Sequence, residues 1–259
     1  MRVVILTSAE YGTAAHHLPS LVESDRIEIA GVILNRGEVK NKRRYYWRKL
    51  KKIWKIGLAG TINGIRMRSW FSTDVQQILG VDSICDQCKK YGVPLFETDS
   101  INNEKTESLM RDAQAEVGLS LGNGFIAPRI FQIPKYGMIN IHHEVLPDFQ
   151  NAQSVIWQIY HGSKNTGFTI HQIERKIDAG AILYQEHIPI VFKADLRETV
   201  SHTVAALWKK SAEGLVRLLE NFSEYSSKAT MQGKGKTYTT PSYRQFLTIR
   251  RQHERLKNG

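Results

Sequence analysis

Short apolar runs alternate with helix-periodic stretches along the first 200 residues of this chain. Residues 3–6, Val-Val-Ile-Leu, form an unbroken apolar run, the pattern of a strand buried on both faces. A turn through Gly12 follows, then a stretch in which Leu18, Leu21 and Val22 recur at helical spacing, then a second apolar run over 27–34. Strand, helix, strand in that order predicts a right-handed parallel crossover. The alternation continues with a helix over 75–91, a short strand over 92–96, a helix over 104–113 and a strand over 116–121. Further strands are expected at 138–142, 167–173 and 181–190, with a helix over 154–160. Val200, Val204, Leu207, Trp208, Leu215 and Leu218 mark a closing amphipathic helix over 196–222. From residue 223 the chain turns polar and reads as an extended arm with a small terminal helix. The expectation is an α/β fold with a doubly wound, mostly parallel sheet over residues 1–200, and a short helical and extended appendage over 201–259.

Charge changes this picture in one place. The 259 residues carry a net charge of +11, and residues 36–70 alone hold twelve Lys or Arg against the single acid Glu38. The rest of the chain balances to zero, so the basicity belongs to an insertion and not to the fold. Within it Trp47, Leu50, Ile53 and Trp54 recur at helical spacing among Arg44, Arg48, Lys51, Lys52 and Lys55. This predicts a basic amphipathic helix with Gly57 and Gly60 as exits. Its functional readings are peripheral contact with an anionic membrane through 43–57, a nucleic-acid backbone, or the phosphates of a nucleotide-linked substrate. The bland reading is a helix packed on its own domain with its charges solvated.

Composition removes several classes. No apolar run reaches the roughly 20 residues that span a bilayer, and the opening run is too short for a secretory signal. Two cysteines give no disulfide framework, so a cytoplasmic setting is expected. Cys85 and Cys88 have no second ligand pair and no redox context, so they read as small helix residues and no metal site is expected.

Candidate chemistry gathers around the run 138–147, Met-Ile-Asn-Ile-His-His-Glu-Val-Leu-Pro. Side chains alternate along a strand, so Asn140 and His142 share a face, about 7 Å apart. An amide donor and an imidazole projecting together can hold an oxyanion and move a proton. Downstream, Thr166 to His171 brings another imidazole, and Asp178-Ala179-Gly180 brings a carboxylate on a glycine-containing turn. A carboxylate can fix the tautomer of an imidazole and raise its proton affinity. The bland alternatives are a turn-capping Asn, a buried hydrogen-bonded His and an Asp that only caps its turn. Residues 122–128, Gly-Asn-Gly-Phe-Ile-Ala-Pro, follow a strand end, where open α/β sheets place their ligands.

These three pieces, Asn140 to Pro147, Thr166 to His171 and Asp178 to Gly180, resemble the core of the folate-dependent formyltransferases. That group includes the methionyl-tRNA, glycinamide ribonucleotide and sugar-nucleotide enzymes, and with weaker flanks the resemblance covers roughly residues 1–200. It implies 10-formyltetrahydrofolate as co-substrate, Asn140, His142 and Asp178 as the catalytic trio, and His171 behind them. It further implies that Gly124, Phe125, Ile126 and Ala127 border the pterin ring. The chain departs from the pattern at three points. No glycine-rich phosphate loop follows the first strand, Glu144 stands where Ser is usual, and Gln150-Asn151 stands where a basic residue and Gly are usual. The C-terminal part is also too short for the second domain of the tRNA enzymes. The expected acceptor is therefore the amine of a nucleotide-linked amino sugar, with initiator methionyl-tRNA second. The competitor from another class is a non-catalytic basic protein that binds membranes or nucleic acid through Trp47 and Trp54.

Overall fold

The computed structural model describes residues 1–37, 42–151 and 153–259. The chain opens with β1 (Arg2–Thr7), α1 (Thr13–Val22) and β2 (Glu28–Asn35), followed by α2 (Lys42–Arg66) and a 3-10 turn at Ser69–Phe71. Next come α3 (Thr73–Leu79), α4 (Ile84–Tyr91), β3 (Leu95–Thr98), α5 (Glu104–Asp112), β4 (Val117–Ser120) and α6 (Pro128–Phe131). The second half holds β5 (Met138–His142), α7 (Ile156–Tyr160), β6 (Asn165–Gln172), β7 (Ile182–Pro189), α8 (Leu196–Glu220), α9 (Phe222–Ser227) and α10 (Tyr243–Asn258).

The seven strands form one sheet in the order β3-β2-β1-β4-β5-β6-β7. The first five are parallel, and β6 and β7 run antiparallel at one end. Alternation along β1 shows why helices cover both faces. Val3 and Ile5 enter one core with Leu18 and Leu21 of α1 and Leu207 and Leu215 of α8. Val4 and Leu6 enter the other, with Met110 of α5 and Ile130 of α6. A strand with no polar face must be buried twice, which is the doubly wound arrangement. α8 crosses residue 200 and shares the core of β1.

The structure differs from the sequence expectation in three elements. The helix expected over 75–91 is two helices, α3 and α4, because Gly80 takes a left-handed conformation (φ 61°) that ends α3. In α2 the first helical arm ends at Gly57 (φ 76°, ψ 165°) as expected, but a second arm follows to Arg66 and runs through Gly60. Gly60 and Gly64 then face the C-terminal region, where an added Cβ at Gly60 would sit 3.3 Å from Ser242 and one at Gly64 2.6 Å from Thr240. Residues 38–41 of the basic insertion lie outside the described residues.

The terminal helix is longer than expected. α10 has 16 residues and a Ser242–Gln245 capping box, and it buries Ile249 and His253. The arm before it is tied down. Thr237 pairs with Gln150, Trp157 Nε1 donates to the Thr239 carbonyl at 3.0 Å, and the Tyr238 ring stacks on Phe149.

Candidate functional site

The parallel strands carry Ser120 and Asn140 side by side at their carboxyl ends, and β6 lies against β5 with His171 opposite Asn140 and Thr169 opposite His142. Strand periodicity thus sets Asn140 and His142 on one face, and the register adds His171 from the neighbouring strand. Ile139 and Ile141, which alternate with them, enter the core. Asp178 arrives from the β6–β7 connection, which needs a left-handed backbone at that residue (φ 51°). Gly180 follows because any side chain there would collide with the Gln172 carbonyl oxygen.

Two imidazoles converge on the Asp178 carboxylate. His142 Nδ1 lies 3.9 Å from Asp178 Oδ2 and His171 Nε2 lies 3.8 Å from Asp178 Oδ1. The carboxylate is itself held, with the Asn151 N–H donating to Oδ2 at 3.1 Å and Gln150 Nε2 donating to the Asp178 carbonyl at 3.2 Å.

Hydrogen bonds assign the tautomers. His142 donates Nε2–H to the Phe149 carbonyl at 2.9 Å, which leaves Nδ1 toward Asp178 and the cleft. His171 donates Nδ1–H to the Gln172 carbonyl at 2.9 Å, so its Nε2 accepts from Asn140 Nδ2 at 3.2 Å. Burial lowers the proton affinity of His171, and the Gln172 bond and Asp178 offset this only in part. His171 therefore stands as a neutral acceptor behind the Asn140 amide.

The site opens into a cleft of about 370 Å³, within the range of small-molecule sites. Asn140, His142, His171 and Asp178 line one wall. The opposite wall is the loop after β4, where Gly122, Asn123, Gly124, Phe125 and Ile126 line the cleft and the Phe125 ring is exposed. Ala127 differs from the expectation. It is not among the lining residues, and its N–H is taken by Asn102 Oδ1 at 2.7 Å.

Asn102 also donates to the Phe125 carbonyl at 2.9 Å, so one side chain clamps the loop at two points. Sequence reasoning missed Asn102, because only the β3–α5 connection carries it there. It also missed Asn123, whose amide bonds the Leu6 carbonyl and Ser120. The bracing of Asp178 by Gln150 and Asn151 was foreshadowed only by their unusual identity.

His143 faces the opposite way. Its Nε2 lies 3.2 Å from Ser211 Oγ and its ring packs on Trp208, while Nε2 of the buried His17 lies 2.9 Å from the same oxygen. Ser211 Oγ donates to the Trp208 carbonyl, so the cluster is satisfied and offers no free nucleophile. Burial pushes His143 down to about 3 and His17 well below its ordinary value. A second recess, also about 370 Å³, shares Thr13 and His143 with the first and adds Arg68, Phe71, Gln153 and Trp208. Cys85 and Cys88 lie in α4 away from both recesses, and burial pushes the Cys88 thiol up to about 11.

A protein-family model described as formyl transferase matches residues 74–218. Solved structures share the fold at low identity. The glycinamide ribonucleotide transformylase 1 of Symbiobacterium toebii superposes with a TM-score of 0.57 at 14% identity, covering 91% of this chain and 92% of that one. A sugar N-formyltransferase from a Shewanella species gives 0.56 at 16%, covering 97% and 87%. The N-formyltransferase of Helicobacter canadensis, solved with folinic acid and dTDP-3-aminofucose, gives 0.53 at 13%, covering 92% and 71%. The family model spans more than half of the chain and includes Asn140, His142, His171 and Asp178, so this chain belongs to the formyl transferase family and is a formyltransferase.

Proposed function

We propose that this formyltransferase takes the formyl group of 10-formyltetrahydrofolate and places it on the primary amine of a nucleotide-linked amino sugar. The observation that carries this reading is the convergence of Asn140, His142 and Asp178 at the mouth of a cleft whose far wall is loop backbone. The cleft suits a folate. It has the volume for a pterin ring, a wall containing Gly122 and Gly124, and an exposed aromatic residue at Phe125. Gly124, Phe125 and Ile126 would border the ring, and the folate would supply the activated formyl group.

Formyl transfer to an amine builds negative charge on the formyl oxygen and moves a proton from the amine to the leaving nitrogen. Asn140, held by His171, presents the remaining N–H of its amide to the cleft and stabilises that charge. His142 turns Nδ1 toward the same space, 3.9 Å from Asp178 Oδ2, so an imidazole and a carboxylate stand together where the proton must be held and moved. A single oxyanion donor is worth about 2.7–4 kcal/mol of transition-state stabilisation, and acid–base assistance a further factor of about 100–10,000.

The acceptor reading rests on three supports. The turn after β1 has Gly12 alone where a glycine-rich phosphate loop would stand. The second recess carries Arg68 beside Thr13 and His143, a cation suited to a phosphate. The Helicobacter enzyme was solved with a nucleotide-linked amino sugar. The test is formyl transfer to a panel of nucleotide-linked amino sugars, with charged initiator tRNA in parallel, read by mass spectrometry. One added formyl group on a sugar nucleotide supports the proposal. Transfer to tRNA alone would refute the acceptor assignment.

A further inference from the structure

Among the described residues α2 exposes a run of large apolar side chains, none of which lines either recess. Trp54 is 88% exposed, Leu58 72%, Trp47 59%, Ile65 57%, Ile62 53% and Leu50 51%. The chain's other tryptophans, Trp70, Trp157 and Trp208, are all buried. Trp47, Leu50 and Trp54 are spaced i, i+3, i+7 on the arm before the kink, and Leu58, Ile62 and Ile65 are spaced i, i+4, i+7 on the arm after it. Each set therefore makes one stripe. The helix already has an inner face, where Ile56 and Asn63 are buried and Gly60 and Gly64 meet Ser242 and Thr240. The outer stripe is additional to the packing that holds α2 to the body.

Charge selects what covers the stripe. The segment 36–70 carries a net +11, and Arg43, Lys51, Lys55, Arg66 and Arg68 are exposed around the apolar residues. A second copy of the chain would bring two such segments together, like charge against like. A nucleic acid would satisfy the cations and could stack on the two tryptophans, but it would leave Leu50, Leu58, Ile62 and Ile65 in water. A bilayer with anionic headgroups satisfies both sets. The apolar stripe enters the boundary between headgroup and acyl chain, tryptophans sit at that depth, and the basic side chains meet lipid phosphates.

We propose that α2 is a peripheral membrane-docking helix for anionic lipid. Among the described residues no helix is long and apolar enough to cross a membrane, so the attachment is interfacial. α2 ends at Arg66, two residues before Arg68 in the second recess. Docking therefore holds the edge of that recess close to the headgroups.

The test uses the full chain with phosphatidylcholine vesicles, with or without phosphatidylglycerol, read by co-sedimentation and tryptophan fluorescence. The expected result is binding to the phosphatidylglycerol vesicles, weakened by salt, with a blue shift that only the two exposed tryptophans can supply. Lys51→Gln with Lys55→Gln should weaken binding roughly 30-fold, at about one basic-residue contribution each. Trp47→Ser with Trp54→Ser should weaken it at least about tenfold and remove the blue shift, with an unchanged thermal midpoint. Protein left in the supernatant with anionic vesicles at low salt would overturn the proposal. So would equal binding to neutral vesicles, or a blue shift that appears without vesicles as protein concentration rises, which would mean self-association. The wild-type salt and lipid dependence decides the matter even if a variant fails to fold.

Discussion

Asn140 Nδ2 lies 3.2 Å from His171 Nε2, across the β5–β6 ladder where the two residues stand directly opposite. The imidazole accepts because its other nitrogen is committed to the Gln172 carbonyl. Register and one backbone bond thus orient the amide that faces the cleft. His171→Gln is expected to lower turnover about 10–100-fold with little change in donor KM, because the amide loses its orientation and not its presence. In the double variant with Asn140→Ala, the His171 substitution should cost almost nothing more. Steady-state kinetics on the four proteins of that cycle check the coupling, and additive losses would show that His171 acts independently of Asn140.

Asp178 offers a second comparison. Its left-handed backbone tolerates Asn better than β-branched residues, so Asp178→Asn should keep the turn and its bonds from Gln150 and Asn151. Turnover should nevertheless fall about 100–10,000-fold, because the carboxylate beside His142 is gone. Asp178→Val should lose thermal stability as well. Equal stability losses in the two variants would reduce Asp178 to a turn residue.

Much of this geometry could be read from the chain. The apolar runs of β1 and β2 marked buried parallel strands, and strand alternation alone put Asn140 and His142 on one face. Helix continuity failed where one glycine decides it. Gly80 stops α3 through its left-handed conformation, and beyond Gly57 the chain returns to a helix that the glycine did not foretell. The clamp by Asn102 and the bracing of Asp178 by Asn151 were hidden because tertiary topology, not spacing, creates them. The arm before α10 was hidden for another reason, since backbone bonds and the Tyr238 ring dock a polar stretch that has no apolar period.

Glu144 sits fully buried with its carboxyl pushed well above the ordinary range by desolvation. Gln158 Nε2 and the Val155 N–H both favour the charged form, but desolvation outweighs them. Below the ordinary carboxylate range both folded and unfolded chains hold this proton. Above it the unfolded chain releases the proton and the folded chain keeps it, so this group lowers stability as pH rises, by up to about 1.4 kcal/mol per pH unit. Glu144→Gln should therefore raise the thermal midpoint more at about pH 8 than at about pH 5. Calorimetry at the two pH values reads this directly.

The histidine cluster has the opposite sign. His17 and His143 are held neutral by burial, His143 down to about 3. As pH falls below about 6.5 the unfolded chain takes up protons that the folded chain refuses, so stability drops through that window. His143→Asn should flatten the midpoint-against-pH curve between about pH 6.5 and pH 4. An unchanged slope would mean that His143 titrates normally in the folded protein.

The role proposed for His142 is on the reacting atoms and not merely in folate binding. The most direct measurement compares His142→Ala with wild type for formyl transfer at saturating 10-formyltetrahydrofolate and for equilibrium affinity for a non-transferable formylfolate. A turnover loss of about 100–10,000-fold, with affinity changed only a few-fold, is the predicted result. Near-normal turnover in His142→Ala would contradict the account.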